Sequence, residues 1–251
     1  MKKIMGSSFE KYRTPEVARM ERRLFLKQGL SLGALAMLAG CAITEEEGAQ
    51  KVLSRMSGWN DDAQAWLFNP NRLAPEFPES RITNPFPFNA YYSEEEVIDV
   101  DGGKYRLELG GMIKERRAWT LPDLYALPQV SQVTRHICVE GWSAIGKWSG
   151  VRFSDFLQRI GADTTAKYVG FQCLDDYSTS IDMATALHPQ TLLTFRFADQ
   201  LLPPKYGFPM KLRMPTKLGF KNPKHIAAIF VTNEYPGGYW EDKGYNWFSG
   251  S

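Results

Sequence analysis

The chain has 251 residues, a formal net charge of +2 and 43% hydrophobic residues. That suffices for one substantial core, and the near balance of charge gives no reason to invoke nucleic acid. Three cysteines, at 41, 138 and 173, do not make a disulfide framework, while seven Trp and fifteen Phe predict a core rich in large rings.

The first element is an address. Arg22-Arg23, then Phe25-Leu26-Lys27, precede the apolar run Leu30 to Leu38. A charged region before a short apolar one is a signal-peptide pattern, too short for a comfortable membrane span. The arginine pair with Leu24-Phe25-Leu26-Lys27 resembles the twin-arginine export signal, and Leu38-Ala39-Gly40-Cys41 resembles the lipobox of bacterial lipoproteins, in which the Cys is acylated. The competing readings are an amphipathic helix with a chance Arg pair and, for Cys41, cleavage elsewhere or an uncleaved anchor. Residues 1–41 are read as the signal, 42–58 as an acidic tether, and 59–251 as the folded domain. The twin-arginine route carries proteins folded in the cytoplasm, often around a cofactor, so the expected location is periplasmic or otherwise extracytoplasmic.

From Trp59 to Tyr92, prolines at 70, 75, 78, 85 and 87 exclude long helices and central strands. An irregular wrapping segment is expected there. Tyr105 to Ile113 alternates and predicts a strand and turn at Gly110-Gly111. Trp119 to Pro128 predicts a short helix capped by Thr120. Ser131 to Val139 is a strand candidate leading into Glu140-Gly141-Trp142. Gly150 to Ala162, with apolar Val151, Phe153, Phe156, Leu157 and Ile160 and a stop at Gly161, predicts an amphipathic helix. Lys167 to Asp175 predicts a strand followed by a polar stretch, Asp175 to Ser180. Ile181 to Phe197 predicts a short helix and then an apolar strand. Phe208 to Pro215 alternates, and His225 to Tyr235 predicts a buried strand. Strands outnumber helices, so the expected class is α+β, mixed and β-rich, not alternating βαβ.

Two constellations carry chemistry. A lone cysteine in an apolar strand is usually a small buried hydrophobe. Cys138, however, ends a strand just before a Gly-containing turn, where sites are built, and a thiolate is a soft ligand for redox-active metals. Zinc is an alternative, since His136 and Cys138 flank one residue, but no further Cys/His pair stands at finger-like spacing. A cysteine nucleophile would need a base, His188 or His225. The second constellation is basic: Lys205, Lys211, Arg213, Lys217, Lys221, Lys224 and His225. A solvated basic face is the plain reading. Lysines with loop N–H groups, as around Lys221-Asn222-Pro223-Lys224, also make a cradle for phosphate.

Cys138-Val139-Glu140-Gly141-Trp142, Trp148-Ser149-Gly150-Val151, Leu187-His188-Pro189, Leu202-Pro203-Pro204 and Gly219-Phe220-Lys221, in this order, resemble the molybdopterin-binding domain of the sulfite oxidase superfamily. The resemblance covers about Phe88 to Trp240, and within it the exported bacterial branch that reduces methionine sulfoxide in periplasmic proteins is the most similar. It implies a molybdenum–molybdopterin cofactor, with Cys138 as the protein's sulfur ligand beside two dithiolene sulfurs. It implies cofactor contacts from Asn89, Tyr92, Asn222, Pro223 and Lys224. Ser93 stands where the reductase has an acidic residue, Cys173 where it has Thr, and Tyr206 where it has Asn. Lys211 replaces a phosphate-gripping Arg and keeps the charge without the bidentate fork. The resemblance implies no appended dimerisation domain, and there is no C-x-x-C-H haem motif. Electrons are then expected to pass through another protein, in the reductase branch a membrane haem protein. Reduction of an S- or N-oxide such as methionine sulfoxide is the expected activity. The alternatives are sulfite oxidation, or a lipid-anchored binding protein that kept the fold and lost catalysis; a zinc hydrolase stands further off.

Overall fold

Short β-branched and aromatic runs build the framework. The computed structural model describes residues 55, 56, 58–61, 63, 64, 66–69 and 71–250; the arginine pair and Cys41 lie outside them. Residues 57–251 form a compact unit, whose described strands make two sheets.

In the first sheet β1 (Glu108–Gly111) runs parallel to β9 (Ile226–Thr232), β9 pairs antiparallel with β4 (Tyr168–Cys173), and β4 with β5 (Ser178–Asp182). In the second, β2 (Val130–Ile137) pairs with β3 (Ser143–Arg152), and β3 with β6 (Leu192–Phe197). The last also pairs with β7 (Gln200–Leu201) and β8 (Lys211–Arg213), every ladder here being antiparallel. This is the sheet-rich α+β architecture expected from the sequence.

The described residues between 55 and 67 are helical, a correction to the irregular segment expected from Trp59, since the prolines begin only at position 70. Three short helices follow, α1 (Leu121–Tyr125), α2 (Phe153–Arg159) and α3 (Met183–Ala186). α1 starts as its residues dictate. Asp123 N–H donates to Thr120 Oγ1 at 3.3 Å, and Thr120 N–H returns a bond to Asp123 Oδ2 at 2.9 Å, a reciprocal cap. The inner face of α2 supplies Phe153, Phe156 and Leu157 to a core that also holds Leu107, Trp119, Val169, Phe171 and Ile229. Full burial of each such side chain contributes about 1.5–3 kcal/mol.

Two further expectations need correction. The helix predicted from Gly150 begins only at Phe153. Gly150–Arg152 are the end of β3, paired with Leu192–Thr194, and Val151 and Phe153, two apart, satisfy a strand's period as well as a helix's. A Cβ on Gly150 would lie 1.9 Å from the Leu193 carbonyl oxygen, so this register shift in β3 requires glycine. The polar stretch before Ile181 is partly strand: Thr179 and Ser180 in β5 are buried polar residues. They hydrogen-bond to Glu241 and the Gly237 carbonyl, which is why the strand lacks an apolar signature.

Candidate active site

One pocket, of about 140 Å³, gathers loops from both sheets. The β2–β3 turn brings Cys138, Val139 and Glu140; the wrapping segment brings Asn89 to Tyr92; the β4–β5 turn brings Asp175 and Tyr177. Gly219, Phe220 and Asn222 to Lys224 arrive from the loop before β9, and Trp240 and Tyr245 from the C-terminal segment. The β2–β3 turn is closed by Cys138 N–H donating to the Trp142 carbonyl at 2.9 Å.

Cys138 is a free thiol. Asn89 Nδ2–H donates to its Sγ at 3.4 Å, and Sγ faces Glu140 Oε2 at 3.6 Å, an oxygen that also accepts from Trp142 Nε1–H at 3.0 Å. Burial pushes the thiol up from its ordinary value, while the Glu140 backbone N–H and the Asn89 amide act the other way. Opposite, the Tyr92 hydroxyl donates to Asp175 Oδ2 at 2.9 Å, and the Tyr91 hydroxyl to the Asp175 carbonyl. Burial, then the Asp175 carboxylate, push Tyr91 up to about 12 and Tyr92 higher, so both phenols stay protonated donors.

Behind the pocket the basic segment is buried, which corrects the solvated-face reading. Lys211, Arg213, Lys217, Lys221 and Lys224 are all buried. Lys221 pairs with Glu241, and Lys217 with Asp182 at 3.5 Å. Lys211, Arg213 and Lys224 have no carboxylate partner among the described residues. The Lys211 ammonium lies 5.1 Å from the Trp148 ring centre. Arg213 spends its donors on carbonyls of Arg135 and Met214, on Thr134 and on Asn222 Oδ1. Lys224 donates to the Lys205 carbonyl at 3.2 Å. His136, buried against them, has neither ring nitrogen hydrogen-bonded. A Cβ on Gly219 would stand 2.6 Å from His136 Nε2, so glycine lets this loop approach β2. Burial holds Lys211 and His136 well below their usual ranges, Arg213 at about 9 and Lys224 at about 8; the neighbouring cations lower Lys211 and His136 further. Unpaired buried charge is costly, so a cluster like this fits an anion.

Of the residues singled out from sequence, Asn89, Tyr92, Cys138, Asn222, Pro223 and Lys224 share the pocket wall. Lys211 lies in the cationic cluster. Ser93 is exposed and starts a turn, its N–H on Glu96 Oε2 at 2.8 Å. Cys173 is buried at the end of β4, its N–H on the Tyr177 carbonyl at 2.9 Å. Tyr206 donates to the Phe86 carbonyl at 2.7 Å and packs on Phe86 and Phe197. Asp175, Tyr177, Trp240 and Tyr245 escaped the sequence analysis. Asp175 follows a strand directly, a signal that could have found it; Trp240 and Tyr245 carry none. The nucleophile reading fails on geometry, since His188 faces the Arg72 carbonyl and His225 the Phe208 carbonyl, and neither lines the pocket. For zinc, no three His, Cys, Asp or Glu side chains converge among the described residues.

Residues 94–240 match the family described as oxidoreductase molybdopterin binding domain. The chain belongs to this family. The chain is also similar to known proteins: a proposed protein-methionine-sulfoxide reductase subunit YedZ1 of Azospira oryzae is 66% identical over 230 residues, 92% of this chain and 88% of the relative. The protein-methionine-sulfoxide reductase catalytic subunit MsrP of Campylobacter jejuni is 27% identical, with 91% of this chain and 78% of that one aligned. The crystal structure of the sulfane dehydrogenase SoxCD from Paracoccus pantotrophus shares the fold, with a TM-score of 0.52 at 18% identity over 55% of this chain and 40% of that one.

This molybdopterin-binding oxidoreductase is therefore an enzyme whose cofactor is molybdenum–molybdopterin, and its residues fit that group. The pocket offers one cysteine sulfur, and no cluster of His, Cys, Asp or Glu among the described residues competes for the metal. The cations without carboxylates suit the phosphate of the pterin.

Proposed function

We propose that this enzyme reduces methionine sulfoxide, with protein-bound methionine as the physiological carrier. The observation that carries the reading is Cys138 Sγ, held at 3.4 Å by Asn89 in a pocket whose far side is aromatic and whose back is cationic. The names of the two relatives aligned over more than nine tenths of this chain support the same substrate.

Reduction takes two electrons and two protons and turns a sulfoxide into a sulfide and water. When bound, the cofactor would supply two-electron redox and oxygen-transfer chemistry. Cys138 is assigned as the metal's protein ligand. Asn89 orients its sulfur and sets its electron density through its hydrogen bond, whereas Glu140 accepts only from the protonated thiol and loses that bond when the sulfur is a thiolate. Lys211 and Lys224, with Asn222 and the loop at Pro223, receive the pterin phosphate, while Arg213, its terminal nitrogens held by protein acceptors, adds positive charge behind them. Tyr92 holds its hydroxyl proton on Asp175 Oδ2, beside the space where substrate enters. Cys173 and Tyr206 back the walls, and Ser93 starts the turn that follows Tyr92.

The Arg22-Arg23 segment and Cys41 support export by the twin-arginine route and a lipid anchor on the outer side of the membrane. No described helix is long and apolar enough to cross a membrane. Electrons are assigned to a membrane haem protein. The test is an assay of the purified, molybdenum-loaded protein against sulfoxides, N-oxides and sulfite with artificial electron donors and acceptors. Turnover of methionine sulfoxide above all others is expected; preferential oxidation of sulfite would overturn the reading. Cell fractionation of wild type and Cys41→Ala tests the anchor, the variant being expected to leave the membrane fraction.

A further inference from the structure

The pocket has two unlike halves. Cys138, Asn89 and the Asn222–Lys224 loop form the half that faces the cofactor. Phe220, Trp240 and Tyr245 form an aromatic half, with Trp240 and Tyr245 ring centres 4.8 Å apart and Phe220 and Tyr245 5.9 Å apart. Tyr245 is exposed and Phe220 and Trp240 are half-buried; Trp240 packs against the main core and edge-on against Tyr239, while the core does not include Phe220 or Tyr245.

What fixes them lies one residue behind. Lys221 follows Phe220, and Glu241 follows Trp240. Their side chains, 1% and 0% exposed, form an ion pair through Glu241 Oε1. The same oxygen accepts from Thr179 Oγ1–H at 2.6 Å, and Lys221 Nζ also donates to the Ser180 carbonyl at 2.6 Å. Ser180 Oγ–H in turn bonds the Gly237 carbonyl at 2.7 Å, and the Tyr177 hydroxyl bonds the Phe220 carbonyl at 2.6 Å. Two loops distant in sequence are thus tied through one buried knot on the edge strand β5. Breaking a buried pair on one side leaves an uncompensated charge, so the two loops are locked in register.

We propose that the Lys221–Glu241 pair is a positioning device for substrate, holding Phe220, Trp240 and Tyr245 as an aromatic seat for the alkyl arms of a dialkyl sulfoxide. This rests on the activity proposed above. Thioether carbons and sulfur pack well on ring faces and edges, and a seat opposite Cys138 directs the sulfinyl oxygen toward the cofactor half. The pair touches neither substrate nor metal, and the seat it holds grips the unreacting alkyl arms equally in ground and transition states, so its loss is expected mainly in KM.

The test is the double variant Lys221→Met/Glu241→Leu, which removes both charges together so that neither is left buried alone. It is compared with wild type and with Glu241→Gln, which keeps an acceptor oxygen. Steady-state reduction of a methionine sulfoxide peptide by a reduced viologen dye, molybdenum per chain, and hydrogen exchange at the Asp242, Gly244 and Tyr245 amides are measured. These amides bond to the carbonyls of Gly238, Glu241 and Trp240. For the double variant, KM is expected to rise about tenfold with kcat and molybdenum content within twofold, and the three amides to exchange about tenfold faster. Glu241→Gln keeps an acceptor oxygen but leaves the buried Lys221 ammonium without its counter-charge, so it should raise KM by a smaller but measurable factor of about two to three. An unchanged KM with unchanged exchange overturns the proposal, and so does a parallel loss of kcat and molybdenum, which would make the pair a support of the cofactor. Should wild type itself turn over no sulfoxide, the activity reading and the seat's assigned ligand fall together. The exchange rates then decide the positioning role, faster exchange upholding it and unchanged exchange overturning it. If the double variant does not fold, Glu241→Gln decides: a shift in KM or in amide exchange upholds the proposal, and no change in either overturns it.

Discussion

Asn89 and Cys138, 49 positions apart, meet as an amide N–H donating to a sulfur at 3.4 Å. This bond places the wrapping segment against the β2–β3 turn and makes the cysteine's electron density adjustable from outside its own loop. Cys138→Ser is expected to abolish turnover and alter the metal's spectrum. Asn89→Ala is expected to keep molybdenum and lose about 10–100-fold in kcat, the usual scale for a group that orients a metal ligand. Electron paramagnetic resonance and steady-state kinetics check both; normal turnover by Cys138→Ser would sink the ligand assignment.

The cationic cluster predicts opposite effects on two states. Lys211 is buried with no carboxylate partner among the described residues, so Lys211→Met should raise the unfolding free energy of cofactor-free protein by about 1 kcal/mol or more. The same substitution should weaken cofactor retention about tenfold or more, since a charge-assisted bond to phosphate is lost. Denaturant melts of the apo form and molybdenum release from the loaded form measure the two. A change of the same sign in both would refute the anion-site reading.

Lys217 gives a pH dependence with a definite sign. Burial lowers it to about 7 in the folded chain, although Asp182 opposes the shift, against about 10.4 unfolded. Between these values the unfolded state binds more protons, so stability rises with pH from about 7 to about 10 and is flat from this group below 7. Lys217→Met should flatten that rise by up to about 1.4 kcal/mol per pH unit. Urea melts of both proteins at pH 7 and pH 9 decide it; equal slopes would show that Lys217 is not desolvated in solution.

Phe156 tests the framework. It is fully buried on α2 and packs edge-on against Trp119, ring centres 5.3 Å apart. Phe156→Ala should cost about 3–5 kcal/mol through lost burial and the cavity left behind. Thermal denaturation reads the loss directly, and a cost below 1 kcal/mol would mean the core collapses around the gap.

Local chemistry was legible before any coordinates. The Thr120 cap, the strand into Cys138 and the helix face of Phe153, Phe156 and Leu157 follow from spacing over a few residues, because caps and periodicity are set by neighbours along the chain. The strand β5 was missed because its buried Thr179 and Ser180 satisfy polar partners some 60 positions away.

By itself the sequence determined the β-rich class, the cysteine that ends a strand before a turn, and the concentration of cations between residues 205 and 225. Only the tertiary structure decided that most of those cations are buried and which of them have a carboxylate. It also decided that Asp175, Trp240 and Tyr245 face the same space as Cys138. The reason is physical: a cation's hydration and its partner are properties of the packed environment, and residues from five separate loops share a pocket only after both sheets have formed.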